Sequence, residues 1–410
     1  MTRQLKDACI KWSGNIPADW NSVALKYLCD MQAGKNLSAE QIADEGEYPV
    51  YGGNGLRGFF FDFNTNGHYL LVGRQGALCG NVHQVEGKFW ATEHAVVTKC
   101  TSLAEIRFLY YLLIGMELNQ YASNTAAQPG LSVSEIGNVR TCLVPLAEQR
   151  RIAAFLDRKC AEIDAVIERT KATIEEYKKL KQAVITEAVT KGVRGARPMK
   201  DSGAQWVGSI PADWMVYRIA NLYDERSEEG AEELPILTVS INTGVSDHEV
   251  ADEDKDRVFV RIEDRTKYKR VYPGDLTYNM MRAWQGAFGA VRVHGMVSPA
   301  YVIAKPKETV KLDSRYMEAL LRTKQATEEM HRYSRGIVDF RLRLYWPEFK
   351  NIRVCLPSYE EQKEIADYID EKSTSMDTLI AKKTALLTEL ETYKKSLIYE
   401  YVTGKKEVGA

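Results

Sequence analysis

The residues whose types and spacing come nearest to a catalytic device in this chain are a glycine-rich run and an acidic one. Gly53-Asn54-Gly55-Leu56-Arg57-Gly58 has the G-x-G-x-x-G spacing, which cradles a pyrophosphate only where a helix N-terminus follows. Here Phe59-Phe60-Phe61 follows, a strand-like run, so these glycines are expected to make a turn. A phosphate-binding loop for ATP would need Gly-Lys followed by Ser or Thr, but Gly34-Lys35, Gly87-Lys88 and Gly404-Lys405 precede Asn36, Phe89 and Lys406. The Asn/Asp-Pro-Pro-aromatic motif of amino-methyltransferases is absent, as is H-E-x-x-H. Asp252-Glu253-Asp254-Lys255 lies in a turn-like segment without a scaffold for nuclease metals and reads as a solvated face. No Ser, His and Asp set is fixed by spacing, so the sequence offers no active site and no metal set.

What remains is chemistry suited to nucleic acid. Between residues 257 and 270 stand Arg257, Arg261, Arg265, Lys267, Lys269 and Arg270, against Glu263 and Asp264, with Tyr268 among them. Between 332 and 353 stand Arg332, Arg335, Arg341, Arg343, Lys350 and Arg353, against Asp339 and Glu348, interleaved with Tyr333, Phe340, Tyr345 and Trp346. Such density can neutralise phosphates, while Arg forks and Gln or Asn amides read base edges. A solvated charged surface is the alternative.

An earlier stretch of the chain is less basic and uses polar turns instead. They are Lys35-Asn36, Tyr51-Gly52-Gly53-Asn54-Gly55-Leu56-Arg57 and Gly73-Arg74-Gln75-Gly76. The run Tyr278-Asn279-Met280-Met281-Arg282-Ala283-Trp284-Gln285-Gly286 reads as the counterpart of Leu70-Leu71-Val72-Gly73-Arg74-Gln75-Gly76, each ending in Gln-Gly at the tip of a hairpin. The candidate DNA contacts are therefore Lys35, Asn36, Tyr51, Asn54, Arg57, Arg74 and Gln75, then Lys267, Tyr268, Asn279, Arg282, Trp284, Gln285, Arg335, Arg341 and Arg343. The same residues serve equally well as turn formers, and the sequence leaves both readings open.

The elements that position these residues are written twice. Ile-Pro-Ala-Asp-Trp occurs at 16–20 and again at 210–214, a shift of 194 residues. Glu148-Gln149, Ile152-Ala153, Asp157, Asp164, Glu187 and Val189-Thr190 recur as Glu361-Gln362, Ile365-Ala366, Asp370, Asp377, Glu400 and Val402-Thr403, at one ungapped shift of 213. Each half is a variable block followed by a helical block, and duplication is the simplest origin. The first helical block carries a seam at steps of three and four through Leu156, Cys160, Ile163, Ile167, Thr170, Ile174, Tyr177, Val184 and Ala188, broken by Lys181. Its equivalent runs through Ile369, Ser373, Met376, Ile380, Lys383, Leu387, Leu390, Leu397 and Tyr401, broken by Lys394. Neither seam contains proline or glycine until Gly192 and Gly404. Helices of roughly 43 residues, about 65 Å long, cannot bury such stripes alone and are expected to pack on each other, in an orientation the residues leave open.

Strands are expected at 57–63, 69–72, 95–98, 257–261 and 287–293, one helix in each variable block at 106–121 and 314–332, and a loop or linker at 190–208. Forty-five per cent apolar and 27% charged residues over 410 positions suit two or three packed domains. The longest apolar run, 110–116, is far short of a bilayer span, and the first residues lack a signal-peptide stretch, so a cytoplasmic location is expected. Seven cysteines without a C-x-x-C pair read as reduced, mostly buried thiols. A net charge of −1 means that any nucleic-acid surface must be local.

Taken together, Ile-Pro-Ala-Asp-Trp opening each half, Tyr48-Pro49-Val50-Tyr51-Gly52-Gly53-Asn54-Gly55, Pro273-Gly274-Asp275-Leu276, Val297-Ser298-Pro299-Ala300-Tyr301 and Leu143-Val144-Pro145 with Glu148-Gln149-Arg150-Arg151-Ile152 resemble the DNA-specificity subunit of type I restriction-modification systems. The resemblance covers almost the whole chain, from about 12 to 404. It implies an α+β fold with two α/β target-recognition domains separated by two long helices packed as an antiparallel coiled coil, in a pseudo-twofold internal repeat. The implied boundaries are 1–147 for the first recognition domain, 148–191 for the first spacer helix and 192–209 for a linker. The second recognition domain would take 210–358, the second spacer helix 359–404 and a tail 405–410. The implied role is non-catalytic: reading bipartite double-stranded DNA, one domain per half-site, while docking two adenine methyltransferase subunits and the restriction (translocase and nuclease) subunits. Those partners, not this chain, would bind S-adenosylmethionine, Mg2+ and ATP. A helical scaffold without DNA specificity and a self-sufficient DNA-modifying enzyme are the alternatives.

Overall fold

The computed structural model describes residues 4–76, 79–123, 130–249, 264–336 and 341–409. The fold is α+β in two compact units, Met1–Ala172 with Lys383–Ala410, and Thr173–Lys382. Each unit combines one strand-rich block with half of each long helix, so the helices are divided between the units and do not form bodies of their own.

In the first unit β1 (Leu5–Ile10) and β2 (Gly14–Pro17) form a hairpin, and β3 (Asn21–Ala24) pairs with β10 (Arg140–Leu143). The main sheet has the order β4-β9-β7-β8-β5-β6, from β4 (Cys29–Ala33), β5 (Tyr48–Gly52), β6 (Gly55–Phe60), β7 (Thr65–Gly73), β8 (Val82–Ala91) and β9 (Ala95–Cys100). Its pairings are antiparallel except β5 along β8. Side chains alternate between faces along a strand, so Leu70 and Val72 join the core that includes helix α1 (Ile106–Gly115), and Leu71 joins Val85 and Phe89 on the other side. A single helix over 106–121 does not form. Glu117 adopts a left-handed φ of 45° after α1, and a short 3-10 turn, Leu118–Tyr121, follows. Next come α2 (Val133–Asn138), capped by Ser132, and the long α3 (Leu146–Lys191).

The second unit repeats this plan. Strand β11 (Met199–Asp201) pairs with β12 (Ser209–Pro211) in the register of β1 with β2, and β13 (Met215–Arg218) pairs with β22 (Arg353–Leu356). The segment expected as a linker therefore contains a strand, and Ala204 and Val207 within it are core residues. After α4 (Ile219–Leu222), the four-stranded sheet β14-β21-β18-β19 uses β14 (Tyr223–Arg226), β18 (Leu276–Asn279), β19 (Phe288–Ala290) and β21 (Tyr301–Pro306). Two ribbons flank it, β15 (Val239–Ser240) with β16 (Gly244–Val245), and β17 (Lys269–Val271) with β20 (Gly295–Val297). The helix expected over 314–332 is two, α5 (Ser314–Leu321) and α6 (Lys324–Tyr333), because Thr323 turns its hydroxyl to cap α6 through Ala326 N. Then come α7 (Trp346–Phe349) and the long α8 (Tyr359–Val402). The strand expected at 257–261, the acidic run at 252–255 and the residues Asp339 and Phe340 lie outside the described residues.

Identical side-chain joints fasten each block to its helix. Trp20 Nε1 donates to Glu148 Oε2 at 2.9 Å, and Trp214 Nε1 to Glu361 Oε2 at 3.2 Å. Trp12 Nε1 donates to Arg140 O and Trp206 Nε1 to Arg353 O, both at 3.0 Å. The Gln149 amide accepts from Glu105 N at 2.7 Å, and the Gln362 amide from Asp313 N at 2.9 Å, which fixes the N-capping residue of α1 and of α5. Arg107 pairs with Asp157, and Arg315 with Asp370. The repeated Ile-Pro-Ala-Asp-Trp and Glu-Gln strings are thus the two sides of one joint, made twice.

The seam falls where the spacing puts it. Leu156, Ile163, Ile167, Ile174, Ile369 and Leu397 are buried, whereas Tyr177, Val184, Met376, Ile380, Leu387 and Leu390 are half-buried, with exposed residues between them. Half-burial is what a two-helix pair leaves when no third layer covers it. In the first unit Phe155 packs against Tyr401 with the rings tilted and their centroids 4.4 Å apart, and Lys394 meets Asp164 at 2.7 Å. In the second, Lys181 meets Asp377 at 2.7 Å. The helix halves run antiparallel within each unit. A parallel in-register pairing would face Lys181 toward Lys394, a like-charge contact, whereas the antiparallel one gives each lysine an aspartate. These part-exposed pairs are worth at most about 1 kcal/mol each, so they select orientation more than they add stability. Gly192 and Gly404, with φ of +77° and +70°, end the helices in the left-handed region.

Candidate nucleic-acid interface

Two of the three polar turns of the first block, 51–57 and 73–76, meet. A Cβ on Gly53 would lie 3.0 Å from His94 O and 3.5 Å from Gly73 Cα, so the β5–β6 turn rests on the end of β7. Arg74 N donates to His94 O and Leu131 N to Arg74 O, both at 2.9 Å, while Gln75 bridges Gly130. The Asn81 amide reaches Asn54 Oδ1 at 3.4 Å. On this face Asn54, Arg57 and Gln75 are exposed, and Arg74 is half-exposed. Exposed Lys35 and Asn36 join beside the β8–β9 connection, where Lys35 N donates to Ala91 O at 2.9 Å and Gly34 has no room for a Cβ. His83 lies under Gly55, and burial holds its pKa below the usual histidine value. Tyr51 departs from the expectation: it is half-buried, edge-on to Phe89 at 5.6 Å, and is part of the packing.

The second unit builds a matching face. Leu344 N donates to Met280 O at 2.8 Å, and Arg335 and Arg343 exchange two backbone bonds at 2.9 Å. Trp284 stands edge-on to His331 at 5.3 Å, so the turn after β18, the end of α6 and the arginine segment share one surface. Arg335, Arg341 and Gln285 are exposed there; Arg282, Trp284 and Arg343 are half-exposed. Asn279 is buried, with its Oδ1 taken by Met281 N at 3.0 Å, so it shapes the turn instead of facing outward. Tyr268 is buried with Leu234 and Met296, and Lys267, though exposed, lies with it in the turn that leads into β17 and not in this cluster. Arg257 and Arg261 lie outside the described residues.

Hydrogen bonding corrects the match between the two tips. Gly73 N donates to Asn81 O and Asn279 N to Ala287 O; Cys79 N donates to Gly76 O and Gln285 N to Arg282 O. Gly80 and Gly286 both have positive φ, +90° and +96°. The equivalent loops are therefore residues 74–80 and 280–286, seven positions each, and Gln75 corresponds to Met281, not to Gln285. The shared Gln-Gly letters misled the comparison, whereas equal spacing from strand end to glycine was the usable signal. Sequence reasoning also missed His331 and the closing pair Ser123 with Gly130, and it named Arg335 and Arg343 without their pairing.

Gly286→Ala is expected to cost about 1–2 kcal/mol from its left-handed backbone alone, since no atom lies closer than 3.7 Å to the added Cβ. Gly80→Ala should cost more, because its Cβ would stand 2.7 Å from the backbone nitrogen of Asn119. Denaturant melts of both variants check the order.

Comparison with known proteins places this doubled architecture. The family model of the type I restriction modification DNA specificity domain matches residues 17–176. The specificity subunit of type I restriction enzyme EcoprrI from Escherichia coli is 44% identical over 138 residues, 33% of this chain and 34% of that relative. The MjaVIII specificity subunit of Methanocaldococcus jannaschii is 24% identical across 84% of this chain and 77% of the relative. The matched model covers less than half of this chain, and the relatives that the chain is similar to are type I restriction specificity subunits. A chain from work on the assembly and conformational transition of the type I R-M system has a similar fold, superposing with a TM-score of 0.67 at 14% identity, over 95% of this chain and 99% of that one. The family-model match takes in the first block and the beginning of α3 (Leu146–Lys191), and the second block is the repeat of that portion.

Proposed function

We propose that this chain is the non-catalytic subunit that gives a type I restriction-modification complex its DNA sequence specificity, with the loop face of each unit reading one half of a bipartite site. The observation that supports this best is that one loop frame is built twice, with the same joints and different outward side chains. A reader of two unlike half-sites needs that combination. Phosphates would be met by Lys35, Arg57 and Arg74 on one face and by Arg282, Arg335, Arg341 and Arg343 on the other.

Two adenine methyltransferase subunits are the proposed partners of the helices, with restriction subunits joining them. Val166, Leu386 and Tyr393 in the first unit and Leu180 and Leu379 in the second are exposed apolar residues on those helices, and Val166 and Leu180 match Leu379 and Tyr393 at the 213-residue shift. S-adenosylmethionine, Mg2+ and ATP belong to those partners in this reading. Among the described residues, no group of His, Cys, Asp and Glu is arranged to hold a metal ion, and no helix is long and apolar enough to cross a membrane. A cytoplasmic complex is the setting proposed.

Co-expression with a matching methyltransferase subunit, in a host without other adenine modification, followed by mapping of methylated adenines, tests the proposal. One bipartite motif with a fixed gap is expected. An assembled complex that methylates no defined motif would favour the scaffold reading, and methylation by the chain alone would favour a self-sufficient enzyme.

A further inference from the structure

We infer that residues 75 and 281 are equivalent base-reading positions, one in each half-site, with Gln75 taking an adenine and Met281 the methyl face of a thymine. The inference rests on the proposed DNA reading and goes further by assigning the contact.

The internal repeat is a comparison of two readers within one molecule. Positions that hold the loops in place agree between the units, and positions that discriminate between bases must differ. The holding parts agree: the strand-end bonds, the closing bonds from Leu131 and Leu344, and the glycines at 80 and 286. At 75 and 281 the chemistry differs completely, an amide against a thioether.

Both positions combine a fixed backbone with a free-standing side chain. Gln75 is clamped by its bridge to Gly130, and its side chain is exposed. The Met281 N–H donates to Asn279 Oδ1 at 3.0 Å, its carbonyl accepts from Trp284 Nε1 at 3.1 Å, and its side chain is 41% exposed. An exposed methionine on a doubly anchored backbone does nothing for the core. In the major groove a Gln amide can span adenine N6 and N7, and an apolar end can meet the thymine methyl group. Position 74 and its equivalent 280 fit the role less well, because Met280 packs against the core of its unit.

The test is motif mapping by the methyltransferase complex carrying Gln75→Ala or, separately, Met281→Ala. Gln75→Ala is expected to relax a single A·T position in one half-site, with discrimination there falling about 10- to 100-fold, while the other half-site and the gap stay as in the parent. Met281→Ala should relax one position in the other half-site. Both side chains are exposed, so thermal melts should match the parent. Unchanged preferences at every position would overturn the inference, and so would a uniform loss of binding to all duplexes in a competition assay with randomised sites. A parent complex that shows no bipartite motif would instead refute the DNA reading itself, and the assignment with it.

Discussion

Glu361→Ala is expected to destabilise the Thr173–Lys382 unit by about 3–5 kcal/mol, the largest stability loss from any single truncation at the repeated joints. The Glu361 side chain is 1% exposed and pairs with Arg197, itself 15% exposed, while accepting from Trp214 Nε1 at 3.2 Å. Removing the carboxylate leaves a nearly buried guanidinium over the Trp214 ring, 5.4 Å from its centroid, without its buried counter-charge, with Lys191 O at 3.3 Å and the exposed Asp213 at 3.6 Å as its remaining partners. Glu148 is its repeat equivalent, accepting from Trp20, but it is only half-buried, so Glu148→Ala should cost about 1–2 kcal/mol. Calorimetry should show a fall of about 10 °C for the unit carrying Glu361→Ala and a much smaller one for Glu148→Ala. Glu361→Gln keeps an acceptor for Trp214 and should fall between. Equal losses from the two alanine variants would mean that burial does not set the strength of these joints.

What the sequence disclosed follows from which forces are local. The seam was legible because helical periodicity records which face is covered, and Leu156 to Leu397 fall inward as spaced. The recurring Glu-Gln and Asp-Trp pairs were visible as letters, but their meaning as joints between a block and its helix depends on contacts more than a hundred residues apart in sequence. Helix ends were less legible: Thr323 splits one expected helix and the left-handed Glu117 ends another, each through a single residue's local geometry. The site divided in the same way. Polar turns announced themselves by glycine and asparagine, yet Tyr51, Tyr268 and Asn279 were drawn inward by packing and turn formation, which composition does not record.

Replacing Arg282, Arg341 and Arg343 together by alanine is expected to weaken DNA binding by about 10²- to 10³-fold near 0.15 M salt, almost equally for cognate and unrelated duplexes. The two faces differ in charge more than in shape. The segment 335–343 carries Arg335, Arg341 and Arg343 against Asp339, whereas its equivalent 123–130 contains no charged residue, and Arg282 stands where the first loop has Gly76. Arginines that meet phosphates release counterions without reading sequence, so losing three should reduce the slope of log K against log salt by about 2 to 3. Arg335 is left in place because its guanidinium is tied to Glu348, and removing it would mix folding with binding. On the first face Lys35, Arg57 and Arg74 are fewer and lie along neutral turns, so the same assay on Arg57→Ala should move the slope by no more than about 1. Fluorescence titrations across a salt series read both quantities. A triple variant with the parental salt slope would place the phosphate contacts elsewhere, whereas a loss confined to one sequence would make these arginines readers of bases. The expected result assigns the work unequally: the second unit supplies most of the electrostatic grip, and the first, nearly neutral at its tip, depends on side-chain fit for what it contributes.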